Sequence, residues 1–303
     1  MDPELLSERL VPWFAEHARE LPWREQGYSP WATLVSEVML QQTQASRVAP
    51  RVVRWLERWP TPADLAAAPA SEVLREWDSL GYPRRALALQ AAAAAISEQY
   101  AGEVPETVEQ LLALPGIGDY TARAVLTFAL GQRHPVVDTN VRRVLARLVR
   151  GDGEAGPPKR SELAEVEALL PQDDAAAVTV SKALMELGAI TCVAKTPRCD
   201  ACPVRDLCTW RSNGYPEYLG KAAPRQSKFA GSDRAARGRI LRMLRASEIP
   251  VPLHVLAEGA HEAGQHERAI ATLLEDGLVV RDHGALALPD ENAAVSRTRF
   301  DTE

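Results

Sequence analysis

Apolar positions recur every three or four residues along most of this chain, and no stretch alternates with a period of two before residue 275. Leu5 to Glu16 reads as a short amphipathic helix, broken by Leu21-Pro22-Trp23-Arg24, and Tyr28-Ser29-Pro30-Trp31 makes a turn before the next helix. That next helix carries Ser36-Glu37-Val38-Met39-Leu40-Gln41-Gln42-Thr43-Gln44. Further helices are expected over Arg47–Arg58, Asp64–Ala67, Ser71–Asp78 and the alanine-rich Arg84–Gln99, with Leu80-Gly81-Tyr82-Pro83 as a loop presenting one aromatic. Thr107-Val108-Glu109-Gln110 matches a capping box, and later helices fall near Glu162–Leu170 and Val178–Ile190. The pattern predicts an all-α fold. Its C-terminal part adds helices over Arg237–Ala246, His254–Ala263 and His266–Asp276, then a hairpin of Gly277–Val280 with Ala285–Leu288 turning at Asp282-His283-Gly284, which together read as a small winged helix.

The stretch from Leu112 to Leu145 organises the rest. Gly116 and Gly118 bracket Ile117, which suits a tight turn with φ > 0 pinned to a core. Ala122, Val125, Leu126 and Ala129 follow at helical spacing, so free N–H groups and the positive helix end would face an anion in front of Gly116–Gly118. Gly131 stops that helix, Pro135-Val136-Val137 is extended, and Asp138 leads into a second helix with a basic face. This is a helix-hairpin-helix pattern that would grip a phosphate and deliver a carboxylate beside it. A purely structural hairpin, with Asp138 as an ordinary N-cap, has the same local signature. Glu37 sits among Leu34, Val35, Val38 and Met39, where desolvation would raise its pKa as a general acid requires; a solvent-facing glutamate is the bland alternative. The Gln41-Gln42 pair suits polar readout or a wedge.

The length of 303 residues allows two or three domains, and a net charge of −6 weighs mildly against a nucleic-acid partner. Two stretches are nevertheless basic: Gly131–Arg150 holds five arginines against one acid, and Lys221–Arg245 holds eight basic residues against Asp233. Arginine is this chain's default cation, thirty against five lysines, so either cluster could be only a solvated face. The most apolar run, Ala86–Ile96, is too short to span a membrane, and the acidic start lacks a signal-peptide pattern, so a cytoplasmic protein is expected. All four cysteines, Cys192, Cys199, Cys202 and Cys208, form C-x6-C-x2-C-x5-C, a ligand set in a reducing compartment. Chemistry alone leaves tetrahedral zinc and a 4Fe-4S cluster both open.

The cysteine spacing behind a helix-hairpin-helix, with Asp138 twenty residues beyond Gly118, resembles the endonuclease III superfamily of DNA glycosylases. Within it, Ser36–Thr43, Leu21-Pro22-Trp23 and Met185-Glu186-Leu187-Gly188-Ala189 resemble the MutY-type adenine glycosylases, which act on adenine opposite 8-oxoguanine. The resemblance covers roughly residues 5 to 215 and implies a 4Fe-4S cluster on the four cysteines, with Glu37 as the acid that protonates adenine and Asp138 as the carboxylate that stabilises the sugar. It implies that Gln42 and Tyr82 fill the vacated base stack, that Arg19, Trp23 and Arg24 surround adenine, and that Gly116 and Gly118 hold phosphate. Tyr120 stands where strand-cleaving relatives carry a Schiff-base lysine, which implies a monofunctional enzyme.

The implied organisation is an N-terminal helix, residues 1–20, packing with the iron-sulfur domain, a six-helix barrel with the hairpin over 21–130 and the cluster domain over 131–220. A basic linker, 221–236, and a winged-helix-like domain, 237–303, follow. The implied partner is double-stranded DNA bearing A opposite 8-oxoguanine or G, handled by a monomer with no membrane contact, whose C-terminal domain could meet a repair protein. Departures from the family are Pro83 in place of a second tyrosine, Ser181-Lys182 in place of Asn followed by Glu or Gln, and a C-terminal part too short for a Nudix-like domain. A pyrimidine glycosylase on the same scaffold and a non-enzymatic iron-sulfur sensor are the alternatives.

Overall fold

A computed structural model describes residues 1–221, 229–258 and 264–289. Part of the expected basic linker, residues 222–228, the end of the helix expected at His254–Ala263, and the tail from residue 290 lie outside the described residues. In chain order the helices are α1 (Pro3–His17), α2 (Pro30–Leu40), α3 (Ala45–Arg58), α4 (Pro62–Ala67), α5 (Ala70–Trp77), α6 (Arg84–Gln99), α7 (Val108–Leu112) and α8 (Asp119–Phe128). There follow α9 (Thr139–Leu145), α10 (Ser161–Glu167), α11 (Asp174–Glu186), α12 (Thr209–Ser212), α13 (Asp233–Arg245), α14 (Leu253–Ala257) and α15 (Gln265–Glu275). Among the described residues there are also three short strands, β1 (Val251–Pro252), β2 (Val280–Asp282) and β3 (Ala285–Ala287). It forms two compact units: Met1–Glu37, Glu106–Ala113 and Ile117–Arg225 in the first, Val38–Pro105, Leu114–Gly116 and Gln226–Glu303 in the second.

In the first unit, α1 starts where Asp2 accepts the Glu4 N–H at 3.0 Å and Pro3 presets the first turn. Its apolar stripe, Leu6, Leu10 and Trp13, is buried against α11 in a core that holds Ala177, Val180 and Leu184 of α11 and Val144 and Leu145 of α9. Both α9 and α11 end in a π-helical turn, Ala146–Arg150 and Leu187–Thr191. Those wider turns, which no apolar period announces, carry the chain into the region of the four cysteines. Helix α11 begins at Asp174, earlier than the pattern suggested, because Asp173 caps it by accepting the Ala176 N–H at 2.8 Å.

The core of the second unit centres on Trp55, fully buried, which meets Trp59 and Trp77 edge-on at centroid distances of 4.6 and 5.6 Å. Helices α4 and α6 pack on each other, and Thr61 and Asp64 close a capping box at the start of α4. The C-terminal elements of this unit run helix, strand, helix, helix, strand, strand, with sheet order β1-β3-β2, all antiparallel. That is the winged-helix arrangement the sequence suggests. The strand β1 lies before residue 275, where none was expected, since two residues cannot display a period. Arg268, the single arginine of α15, faces Asp233 at 3.3 Å.

Candidate functional site

Residues 31 to 39 of α2 are all buried, so Glu37 has no solvent-facing side to turn to and is 4 % exposed. Tyr120, on the first turn of α8, lies near enough for its phenol to act on this carboxyl, while Oε2 has no partner. Burial raises Glu37 from its ordinary 4.5 to about 7, the Tyr120 phenol lowers it in part, and the nearby Asp138 charge raises it again. Tyr120 is held well above 10 by burial and by the two carboxyl groups, so it is a neutral phenol and a donor. Immediately before Glu37, Ser36 Oγ and Tyr28 Oη share a 2.7 Å hydrogen bond that ties the adjoining loop to α2.

Asp138 is the N-cap of α9. Its Oδ1 accepts the Val141 N–H at 2.7 Å and its Oδ2 accepts Asn140 Nδ2 at 2.8 Å. The cap and the catalytic readings therefore do not compete: capping fixes the carboxylate beside Glu37. Burial raises its pKa, and those hydrogen bonds hold it back. Gly188 presses against this turn, since a Cβ on it would lie 2.7 Å from Asn140 Cβ and 2.8 Å from the Asn140 carbonyl oxygen.

Arg19 and Arg24 converge on one residue that sequence reasoning quoted only within a motif, Glu186. Arg19 donates through Nε at 2.7 Å, Nη2 at 2.8 Å and its backbone N–H at 2.9 Å, and Arg24 Nη2 donates at 2.7 Å. Glu186 is wholly buried, and although burial pushes its carboxyl up, the two guanidinium groups hold it at about 2. A glutamate with no exposed surface at the end of a helix could have been suspected from its neighbours Leu184 and Leu187. Trp23 is half-buried in the short turn Pro22–Arg24. Lys182, one turn before Glu186, lies over the Phe128 ring at 5.9 Å, and burial lowers its pKa.

In the hairpin turn, Gly116 has φ +74°, and a Cβ there would sit 2.7 Å from Ala88 Cβ. Gly118 departs from the expected positive φ. It is extended at φ −103°, because it serves as the N-cap of α8. Its lack of a side chain leaves the first amides of α8 without a side-chain cap. In the second unit, Gln42 and Tyr82 are exposed, and both have positive φ, 54° and 46°. The five arginines of Gly131–Arg150 turn out to brace the fold. Arg133 reaches Glu167 and Pro171, Arg142 and Arg150 reach Glu162, and Arg143 and Arg147 reach the Cys192 segment.

The four cysteines, none in a disulfide, line one cavity together with Thr191, Pro197, Arg147 and Trp210. Among the described residues no His, Cys, Asp or Glu group gathers as the ligands of a single ion would. Burial and the neighbouring thiols push Cys202 up to about 12, so four thiolates are stable there only against a strongly positive centre. A donor set of four thiols fits a 4Fe-4S cluster. Arg147 closes the cavity: it donates to the carbonyls of Val193 and Ala194 at 2.8 and 3.0 Å, approaches Cys192 Sγ at 3.4 Å, and stacks on Trp210.

Comparison with known proteins adds three findings. Residues 35–171 match the HhH-GPD superfamily of base excision DNA repair proteins, and residues 192–208 match the iron-sulfur binding domain of endonuclease III. The chain is 50 % identical over 286 residues to an adenine DNA glycosylase of Mycobacterium tuberculosis, covering 93 % of each. Among solved structures, a thermostable thymine-DNA glycosylase matches at TM-score 0.63 and 26 % identity over 70 % of this chain and 97 % of the other. A trapped endonuclease III–DNA covalent intermediate matches at 0.59 and 26 % over 71 % and 100 %.

Proposed function

The chain belongs to the adenine DNA glycosylase family of the HhH-GPD superfamily, and on that premise we propose that it hydrolyses the N-glycosidic bond of adenine in duplex DNA, within base excision repair. The observation that carries this reading is Glu37: a buried carboxyl near pKa 7, with Oε2 unpartnered, next to Tyr120 and Asp138. Adenine leaves as a poor anion unless a ring nitrogen is protonated, and Glu37 is protonated about half the time at neutral pH, the poise a general acid needs. Tyr120 steadies it. Loss of the base leaves positive charge on the sugar, which Asp138, fixed by the α9 amides, stabilises electrostatically, as the second carboxylate of a glycosidase does. Water then adds to C1′ of the sugar and releases a proton, which restores Glu37 to its acid form.

With a phenol at residue 120 there is no amine for a Schiff base, so the strand stays intact. Extruding the nucleotide costs a few kcal/mol of stacking and pairing. Phosphate held by the Gly116–Gly118 turn, and Gln42 with Tyr82 in the vacated stack, offset that cost. Trp23, Arg19 and Arg24 line the adenine side, the two arginines held there by Glu186. Cys192, Cys199, Cys202 and Cys208 would hold the 4Fe-4S cluster, which would supply a structural centre for this part of the chain. The substrate we assign is A opposite 8-oxoguanine or G, handled by a monomer. The winged helix serves packing or protein contact rather than groove reading, since its one recognition-helix arginine faces Asp233.

The test is release of free base from duplexes bearing A opposite 8-oxoguanine, A opposite G, T opposite G, or thymine glycol. Adenine from the first two, with intact strands, is expected. Thymine release would favour the pyrimidine reading, and binding without any release would favour a sensor.

A further inference from the structure

Gln42 and Tyr82 hold backbone conformations that side-chain-bearing residues rarely adopt, and such conformations persist only where the surroundings enforce them. One residue of the second unit touches both of their loops. Arg85, in the first turn of α6, donates through Nη1 to the carbonyl oxygens of Val38 at 2.8 Å, Met39 at 3.1 Å and Gln41 at 2.6 Å. These are the last carbonyls of α2 and the residue just before Gln42. Through Nη2 it donates to Thr43 Oγ1 at 3.1 Å and to the Gly81 carbonyl at 3.0 Å, and it reaches the Leu80 carbonyl at 3.5 Å. Its guanidinium lies over the Trp77 ring at 5.1 Å and the Tyr82 ring at 5.7 Å. Thr43 Oγ1 completes the link by bonding the carbonyls of Gln41 and Leu80 at 3.2 and 3.4 Å.

We propose that Arg85 is the positioning residue for nucleotide extrusion: it locks the Gln42 and Tyr82 loops into one wedge, in fixed register with the end of the helix that carries Glu37. The inference rests on the adenine glycosylase reading, in which Gln42 and Tyr82 enter the stack. A planar fork is needed because the acceptors belong to three separate pieces of backbone, α2, the Gln41–Thr43 loop and the Leu80–Gly81 loop. Lysine, a single point donor, cannot span them. Burial lowers Arg85 to about 10, which leaves it charged at neutral pH while two α2 carbonyls and two loops share that charge. Arg85 touches no reacting atom, so its loss acts through geometry alone.

The test uses the full chain with its cluster, as Arg85→Lys and Arg85→Gln. The target adenine is replaced by 2-aminopurine opposite 8-oxoguanine, whose fluorescence rises when it unstacks. At saturating enzyme the wild type should give the full rise and each variant at most a fifth of it. Affinity for a duplex bearing a stable abasic analogue, which has no base to extrude, should change less than threefold, with iron content and melting as in the wild type. Single-turnover adenine release should fall at least tenfold, and lysine should not rescue it. A full fluorescence rise in either folded variant would overturn the proposal, as would an equal loss of affinity for the abasic duplex, the mark of a merely structural residue. Should the glutamine variant not fold, the lysine variant decides alone. Wild-type protein that releases no adenine would instead refute the underlying reading.

Discussion

Arg143 Nε donates to the carbonyl oxygen of Cys192 at 2.7 Å. The same guanidinium reaches Asn140 Oδ1 at 2.9 Å, and Asn140 Nδ2 reaches Asp138 Oδ2 at 2.8 Å, so a continuous hydrogen-bond path joins a cluster-binding cysteine to the carboxylate assigned to the sugar. Arg143 also holds the Gly188 carbonyl at 2.6 Å. Arg143→Lys should keep iron and fold but loosen Asp138, lowering single-turnover adenine release by about tenfold or more, since 1.4 kcal/mol of misplacement is already tenfold. Wild-type rates with full iron content would show that the path carries no catalytic weight.

The Glu186 cluster yields a stability prediction. Glu186→Gln leaves Arg19 and Arg24 without their anion, and removing one partner of a buried pair costs about 3–5 kcal/mol. Arg19 is 41 % exposed and water screens it, so a loss of about 2–3 kcal/mol is expected. The Glu186 carboxyl is lowered to about 2, so its stabilisation is fully present above its ordinary 4.5 and disappears as pH falls through about 2. Denaturant unfolding at pH 7 and pH 3 measures both points. An unchanged midpoint at pH 7 would contradict the account.

Glu37 carries the opposite sign. Its carboxyl is raised from 4.5 to about 7, so any stabilising contribution is fully present below 4.5 and lost as pH rises through about 7. Glu37→Gln should therefore be more stable than the wild type at pH 8, by on the order of 3 kcal/mol, with the gap closing by pH 4.5. Adenine release should follow a bell: it falls above about pH 7 as Glu37 ionises, and falls in acid as Asp138, itself raised by burial, takes up a proton. A rate flat from pH 6 to 9 would rule out Glu37 as the titrating acid.

Parts of this candidate site are legible in the sequence. Glu37 stands out because its four nearest apolar neighbours in sequence leave a helix no polar face at that point, and the four cysteines stand out by spacing. Other features depend on approach between distant segments. Glu186 meets Arg19 across 167 positions of sequence, and Arg85 meets Val38 across 47, separations that no periodicity encodes. The basic run at Gly131–Arg150 stayed ambiguous for the same reason: charge composition cannot tell an arginine facing phosphate from one facing a carbonyl or Glu162. Gly118 misled more locally, since an N-cap glycine and a positive-φ glycine look alike in sequence.

In the proposed mechanism, residue 120 decides whether the strand is cut. Tyr120→Lys places an amine beside Glu37 and Asp138, where the aldehyde of the abasic sugar forms. Borohydride should trap a covalent protein–DNA adduct, and some strand cleavage should appear. Neither would be seen if the residue 120 side chain does not reach the sugar.

The central claim is that Glu37 delivers the proton that lets adenine leave. The direct test is the single-turnover rate of adenine release from a duplex with A opposite 8-oxoguanine, for wild type and Glu37→Gln, measured with the affinity of each for that duplex. The account predicts a rate lower by at least about 10²-fold, the usual worth of a positioned general acid, with affinity nearly unchanged. A Glu37→Gln protein that releases adenine at the wild-type rate would contradict it.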